Sequence, residues 1–212
     1  EFVPFHTWVA RCGMHNSLAQ LLVKITAPGI PDCYQGTELW EFSLVDPDTR
    51  RPVDFERRAA MLQECQDGAG EHGVNRLALV RRLMESWEDG RIKLYLLYSG
   101  LRHRREHATL YLDGDYVPLE CSGVRQSHVC AYARLHQEQA IVTVIPRLSA
   151  ELVPAGSAAV GDVWQDTRLT VPSWKAGSHY INLLTGQRLD TITEEGRQVL
   201  PLSQVLRDCP VA

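Results

Sequence analysis

Residues 28–40 read Pro28-Gly-Ile-Pro-Asp-Cys-Tyr-Gln-Gly-Thr-Glu-Leu-Trp40, and residues 46–54 read Asp46-Pro-Asp-Thr-Arg-Arg-Pro-Val-Asp54. A short apolar run, Ile30 to Tyr34, is a candidate strand. It opens into a loop rich in carboxylates, amides, two arginines and two aromatics. Carboxylates accept and guanidinium groups donate paired hydrogen bonds, which suits the vicinal hydroxyls of polyhydroxylated ligands. Tyr34 or Trp40 offers a face for a pyranose ring. The bland alternative is a loop stiffened by Pro28, Pro31, Pro47 and Pro52 and held by pairs of the Asp46–Arg50 type.

Upstream, Met14, Leu18, Leu21, Leu22 and Ile25 recur at helical spacing, and Pro28-Gly29 stops that helix. Downstream, Asp54 is a plausible N-cap for a helix carrying Ala59 and Leu62, with Glu56 in its first turn. Leu77, Val80, Met84 and Trp87 form a further stripe closed by Asp89-Gly90. Leu94, Leu97, Tyr98 and Leu101 form another, ending in basic residues that suit a helix C-terminus. A single parallel-type strand flanked by helices cannot make a sheet alone, so its neighbours are expected from elsewhere.

The pattern changes near residue 108. Thr109 to Leu112, Asp113-Gly114-Asp115 and Tyr116 to Leu119 read as a hairpin. Val129, Ala131, Ala133 and Leu135 alternate as in a half-buried strand, and Gln137-Glu138-Gln139 turns into Ala140 to Ile145. Asp162 to Trp164, Arg168 to Val171 and Tyr180 to Leu184 are further strand candidates, with a turn at Thr185-Gly186. Leu148 to Gly161 reads as a loop. The expected organisation is α+β: a mainly helical unit over 1–108 and an antiparallel β-sandwich over 109–212.

The chain has 212 residues, 44% of them apolar, so a buried core is feasible. Lys and Arg total 22 against 26 Asp and Glu, a net charge of −4, which gives no footprint for nucleic acid. No apolar stretch approaches the roughly 20 residues that span a bilayer. The start lacks a signal-peptide pattern and an initiator Met, and is expected to be an excision point. Cysteines at 12, 33, 65, 121, 130 and 209 show no zinc spacing and are expected to be free thiols of a cytoplasmic protein.

Asn16-Ser-Leu-Ala-Gln20, Pro28 to Trp40 and Ser43-Leu-Val-Asp-Pro-Asp-Thr-Arg-Arg-Pro-Val-Asp54 resemble the maltooligosyl trehalose synthases of the α-amylase superfamily. Asp113 to Leu119, His128 to Arg134, Trp164 to Leu169 and Pro210-Val-Ala212 are similar to that family's C-terminal β-domain. Thr49 departs from the Asn expected in the family. The resemblance implies the terminal helices and last strand of a truncated (β/α)8 barrel followed by the β-sandwich. It implies an intramolecular transglucosylase that turns the reducing-end α-1,4 linkage of a maltooligosaccharide into an α,α-1,1 linkage, without an organic cofactor.

The family's catalytic carboxylates, two Asp and one Glu, would lie before this chain begins. No catalytic residue is therefore expected here, and the chain alone should be inactive. Tyr34, Gln35, Glu38, Trp40, Asp46, Asp48, Arg50 and Arg51 would form part of the substrate wall, at the end of a barrel strand where barrel sites are built. The expected partners are a maltooligosaccharide and the N-terminal remainder of the same polypeptide, with self-association of the isolated chain. A non-catalytic carbohydrate-binding or structural module, and a fragment of an α-glucan hydrolase, are the alternatives.

His103-Arg-Arg-Glu-His107 matches the His-x-x-Glu-His pattern of inverted zinc peptidases. Arg104 and Arg105 would place positive charge beside a cation and no downstream ligand helix follows, so no metal is expected. The remaining histidines are isolated. Trp8, Trp87, Trp164 and Trp174 read as packing, with Trp164 or Trp174 as a possible sugar platform.

Overall fold

A computed structural model describes residues 2–43, 45, 50–153, 157–172 and 179–212. The first half is helical: α1 (Phe2–Thr26), α2 (Phe55–Ala69), α3 (Arg76–Glu85), α4 (Arg91–Glu106) and the short α5 (Ala108–Leu112). The second half holds β1 (Asp115–Pro118), β2 (Cys121–Ser122), β3 (Val129–His136), β4 (Gln139–Pro146), α6 (Ser149–Leu152), β5 (Arg168–Val171), β6 (His179–Ile181), β7 (Arg188–Asp190), β8 (Ile192–Glu194), β9 (Arg197–Pro201) and α7 (Leu202–Val205). Among the described residues every pairing is antiparallel, in sheets ordered β1-β3-β4, β2-β5-β9-β8 and β6-β7. The molecule is α+β, as expected.

The stripe of α1 is the floor of one core. Met14, Leu18, Leu21, Leu22 and Ile25 are all buried, packed with Leu79, Val80, Leu83, Trp87, Ile92 and Leu96. This core also takes in Ile145, Leu184, Cys209 and Val211, so it reaches across residue 108 into the β half. Burying each such aliphatic side chain is worth about 1.5–3 kcal/mol. A second core, around Val144, Trp164, Leu169, Leu200 and Leu202, lies within the sheets. The leucines of α1 are thus covered by this chain's own residues. What α1 leaves bare is Phe2, Val3, Phe5 and Val9.

Two guanidinium groups close α1. Arg104 donates to the Ile25 carbonyl at 2.7 Å and to that of Gly29, and Arg134 reaches the Thr26 carbonyl at 3.4 Å. They satisfy carbonyls that a helix end leaves without partners. Downstream, the Asp54 carboxylate accepts from the Arg57 N–H at 2.9 Å, the expected N-cap of α2.

Several strand readings are corrected. Ile30 to Tyr34 is irregular backbone, not a strand, and Ile30 is 88% exposed. Pro31 lacks the N–H a ladder needs, and no described segment pairs with this stretch. Thr109 to Leu119 is not a hairpin. Residues 108–112 make a helical turn that buries Leu110 and Tyr111, and β1 pairs with β3 instead. Gly114 permits this, since a Cβ there would lie 2.2 Å from the Leu110 carbonyl oxygen. Asp162 to Trp164 lies in a 3-10 turn, Gly161–Trp164, whose indole N–H donates to the Ala159 carbonyl at 3.0 Å. Tyr180 to Leu184 is strand only as far as Ile181. There the Asn182 carboxamide oxygen accepts from the Leu184 and Thr185 N–H groups and turns the chain. The Leu148 to Gly161 loop contains α6.

Candidate functional site

The loop from Cys33 to Ser43 sits on the junction of α3 and α4, and three cationic or aromatic anchors fasten it. Gly36, at φ +90°, turns the chain, while Thr37 donates through its N–H and its hydroxyl to the Tyr34 carbonyl, at 3.2 and 2.6 Å. Arg58 of α2 donates to the Glu38 carboxylate at 3.0 Å, to the Gly36 carbonyl at 3.2 Å and to the Asp54 carbonyl at 3.1 Å. The Trp40 indole N–H donates to the Trp87 carbonyl at 2.7 Å. Lys93 of α4 donates to the Leu39 carbonyl at 2.9 Å, its Nζ 5.8 Å from the centre of the Trp40 ring.

Beyond Trp40, Glu41 accepts from both the hydroxyl and the N–H of Ser43, the latter at 2.7 Å. These bonds hold its carboxyl below the usual carboxylate range, helped by the nearby charges of Arg51 and Lys93. A general acid needs the opposite shift.

The expected site residues divide as follows. Tyr34 and Gln35 are exposed at the turn. Glu38 is half-buried and ion-paired to Arg58, and Trp40 is half-buried, with its polar edge engaged by Trp87 and its body against the helical core. Arg50 and Arg51 are exposed and lie within the interaction range of other side chains. Asp46 and Asp48 lie outside the described residues. The loop therefore presents Tyr34, Gln35 and Glu41 on an outer surface, while Glu38 and the Trp40 N–H are taken up by Arg58 and Trp87. A cavity of about 800 Å³ lies elsewhere, between α1, α4, α5 and the strands, lined by Leu22, Leu96, Tyr111, Val142 and Leu184 among others, and by no residue of this loop.

Arg58 and Lys93 were missed in the sequence. A lysine within the apolar run Ile92 to Leu97 was the available signal. Arg58 carried none, because an arginine on a helix surface is unremarkable until its partners are known.

Among the described residues no third metal-binding side chain joins the histidine pair. The rings of His103 and His107 stack at 4.3 Å, and His103 Nδ1 lies 2.8 Å from the Tyr111 hydroxyl. Glu106 is instead paired with Arg102 at 2.8 Å. Burial, and then the neighbouring His107, push the His103 pKa down to about 4. No cluster of three metal-binding side chains exists among the described residues. Trp164 is fully buried, which removes it as a sugar platform, and Trp174 lies outside the described residues. The six cysteines are free thiols. No helix among the described residues is long and apolar enough to cross a membrane.

Fold and loop together define an α+β chain that displays a polar, aromatic loop on a helical base. Two Mycobacterium tuberculosis proteins named as maltooligosyl trehalose synthases are 34% identical to it over 161 residues, 75% of this chain and 17% of theirs. The solved maltooligosyltrehalose synthase of Arthrobacter ramosus superposes with a TM-score of 0.65 at 30% identity, over 94% of this chain and 22% of that one. A second solved maltooligosyl trehalose synthase gives 0.61 at 28% identity, over 94% of this chain and 23% of its own. No family model matches the sequence. The chain corresponds to the C-terminal part of the maltooligosyl trehalose synthases and spans about a sixth of the length of the curated relatives it matches.

Proposed function

We propose that this chain supplies one wall of the substrate site of a trehalose-forming intramolecular transglucosylase. In this reading residues 1–108 complete the end of a (β/α)8 barrel and residues 109–212 are its C-terminal β-sandwich. Tyr34, Gln35, Glu38, Trp40, Asp46, Asp48, Arg50 and Arg51 face a maltooligosaccharide, and the remainder of the polypeptide provides the nucleophile and the acid/base. A retaining rearrangement needs two carboxyl groups about 5–5.5 Å apart, one of them able to protonate the leaving oxygen. Neither Glu38, tied to Arg58, nor Glu41, with its depressed pKa, suits that role.

The observation that carries the reading is the correspondence with the named synthases, joined to a loop whose exposed groups are those that hydrogen-bond and stack on sugars. Its position on an outer surface fits a wall that needs an opposing face. The test is maltopentaose added to the full chain, followed by product analysis and by the signals of residues 34–51. The expected result is no trehalose-terminated product, with perturbation confined to the loop. Turnover by the chain itself would overturn the reading. Binding confined to the sheets would replace it with a carbohydrate-binding module.

A further inference from the structure

Lys93 occupies a position where α4 otherwise carries apolar side chains. It is 7% exposed and lies between buried Ile92 and Leu94. The Leu39 carbonyl accepts from its ammonium, and the Trp40 ring lies alongside. The charged and titratable groups that face it are Lys24 from α1 and Cys33, Glu38 and Glu41 from the loop. Burial, reinforced by Lys24, lowers its pKa to about 8, against the opposing pull of Glu38, Glu41 and Cys33. A buried cation of this kind works against stability, and an apolar side chain of similar volume is often neutral or better in its place. Perturbed, desolvated groups of this sort concentrate at functional positions.

We infer that Lys93 is the positioning residue of the candidate sugar wall, its ammonium seated beneath the Leu39 carbonyl and the Trp40 ring and fixing the direction in which residues 38–40 leave the core. The inference rests on the reading of the loop as a sugar wall, but the seating itself can be measured without sugar. The Trp40 N–H fixes one edge of the indole through Trp87. Lys93 holds the adjoining backbone through the Leu39 carbonyl.

Seating has a pH signature whose sign follows from linkage. With the loop lifted, Lys93 returns to water and titrates near its ordinary 10.5; seated, it titrates near 8. Between these values the seated form binds fewer protons, so rising pH favours seating, by at most about tenfold per pH unit. Well below pH 8 both forms are protonated and seating is independent of pH as far as Lys93 is concerned.

The experiment is fluorine NMR of the full chain labelled with 5-fluorotryptophan, the Trp40 resonance being assigned by its loss in Trp40→Phe. In the unmodified chain that resonance should titrate between pH 7 and 10. Lys93→Met should shift it and abolish the titration without lowering the melting temperature at pH 7. Lys93→Arg should hold it near its original position at pH 7, with no titration up to pH 10. A Trp40 resonance that does not titrate in the unmodified chain, or that titrates identically in either variant, overturns the inference. If Lys93→Met does not fold, the arginine comparison decides alone. Maltopentaose separates the two readings. A loop signal indifferent to the sugar defeats the sugar wall and leaves the seating result standing. A sugar response equally strong in Lys93→Met defeats the positioning role.

Discussion

Gly90→Ala tests whether the loop is truly packed on the α3–α4 junction. Gly90 joins the turn ending at Asp89 to α4 with φ +84°, and its carbonyl accepts from the N–H groups of Lys93 and Leu94. A side chain in this left-handed region costs roughly 1–2 kcal/mol. A Cβ there would also lie 3.2 Å from Leu39 Cβ and 3.2 Å from the Trp40 backbone nitrogen, so the loop would have to move by a few tenths of an ångström. Overpacking of this kind adds about 1–3 kcal/mol. The total is about 2–5 kcal/mol, or a fall in melting temperature of about 4–20 °C at this chain length.

Gly196→Ala is the control. Gly196 has φ +77° in the turn between β8 and β9, and nothing lies within 4 Å of its Cβ position. It should show the left-handed penalty alone. Thermal and urea unfolding followed by circular dichroism give both values, and the difference isolates the contact with Leu39 and Trp40. Equal destabilisation by the two substitutions would refute that contact. The fluorinated Trp40 resonance should also move in Gly90→Ala and stay fixed in Gly196→Ala.

Two further outcomes follow from the same structure. His103 and His15 are held neutral, chiefly by burial, with pKa values below the usual 6.5. The unfolded chain takes up protons there first, so stability should fall as pH drops below about 6.5, for His103 down to about 4, by at most about 1.4 kcal/mol per pH unit for each histidine. Urea midpoints at pH 7 and 5 measure this, and a His103→Gln chain with an undiminished slope would exclude His103 as a source. Phe2, Phe5 and Val9 form an exposed apolar stripe at helical spacing, and such patches mark association surfaces. Light scattering should give a mass that rises with concentration and falls back in Phe5→Glu/Val9→Glu. A single-chain mass at every concentration would contradict this.

The helical half was legible because its information is periodic and local. The spacing of Met14, Leu18, Leu21, Leu22 and Ile25 names the buried face of α1, and Asp54 and Gly90 mark helix boundaries by chemistry that acts within a few residues. β3, β4 and the turn between them were likewise legible from alternation around Gln137 to Gln139. The errors fell on short apolar segments. Ile30 to Tyr34, Thr109 to Leu112 and Asp162 to Trp164 are long enough to suggest a strand and too short to show a period, so the neighbours decide them. Leu110 and Tyr111 are buried where α5 packs on α4 and β3; at Ile30 no described strand is available to pair.

The candidate site divides along the same line. Sequence alone determined which chemistry the loop carries, because carboxylate, guanidinium and aromatic groups keep their properties wherever they are placed. Tertiary structure decided which of them remain available. It committed Glu38 to Arg58, the Trp40 N–H to Trp87 and the Leu39 carbonyl to Lys93, partners 20, 47 and 54 residues away. Hydrogen bonds and buried charges act over a few ångströms, and only the folded chain brings residues so far apart in sequence within that reach.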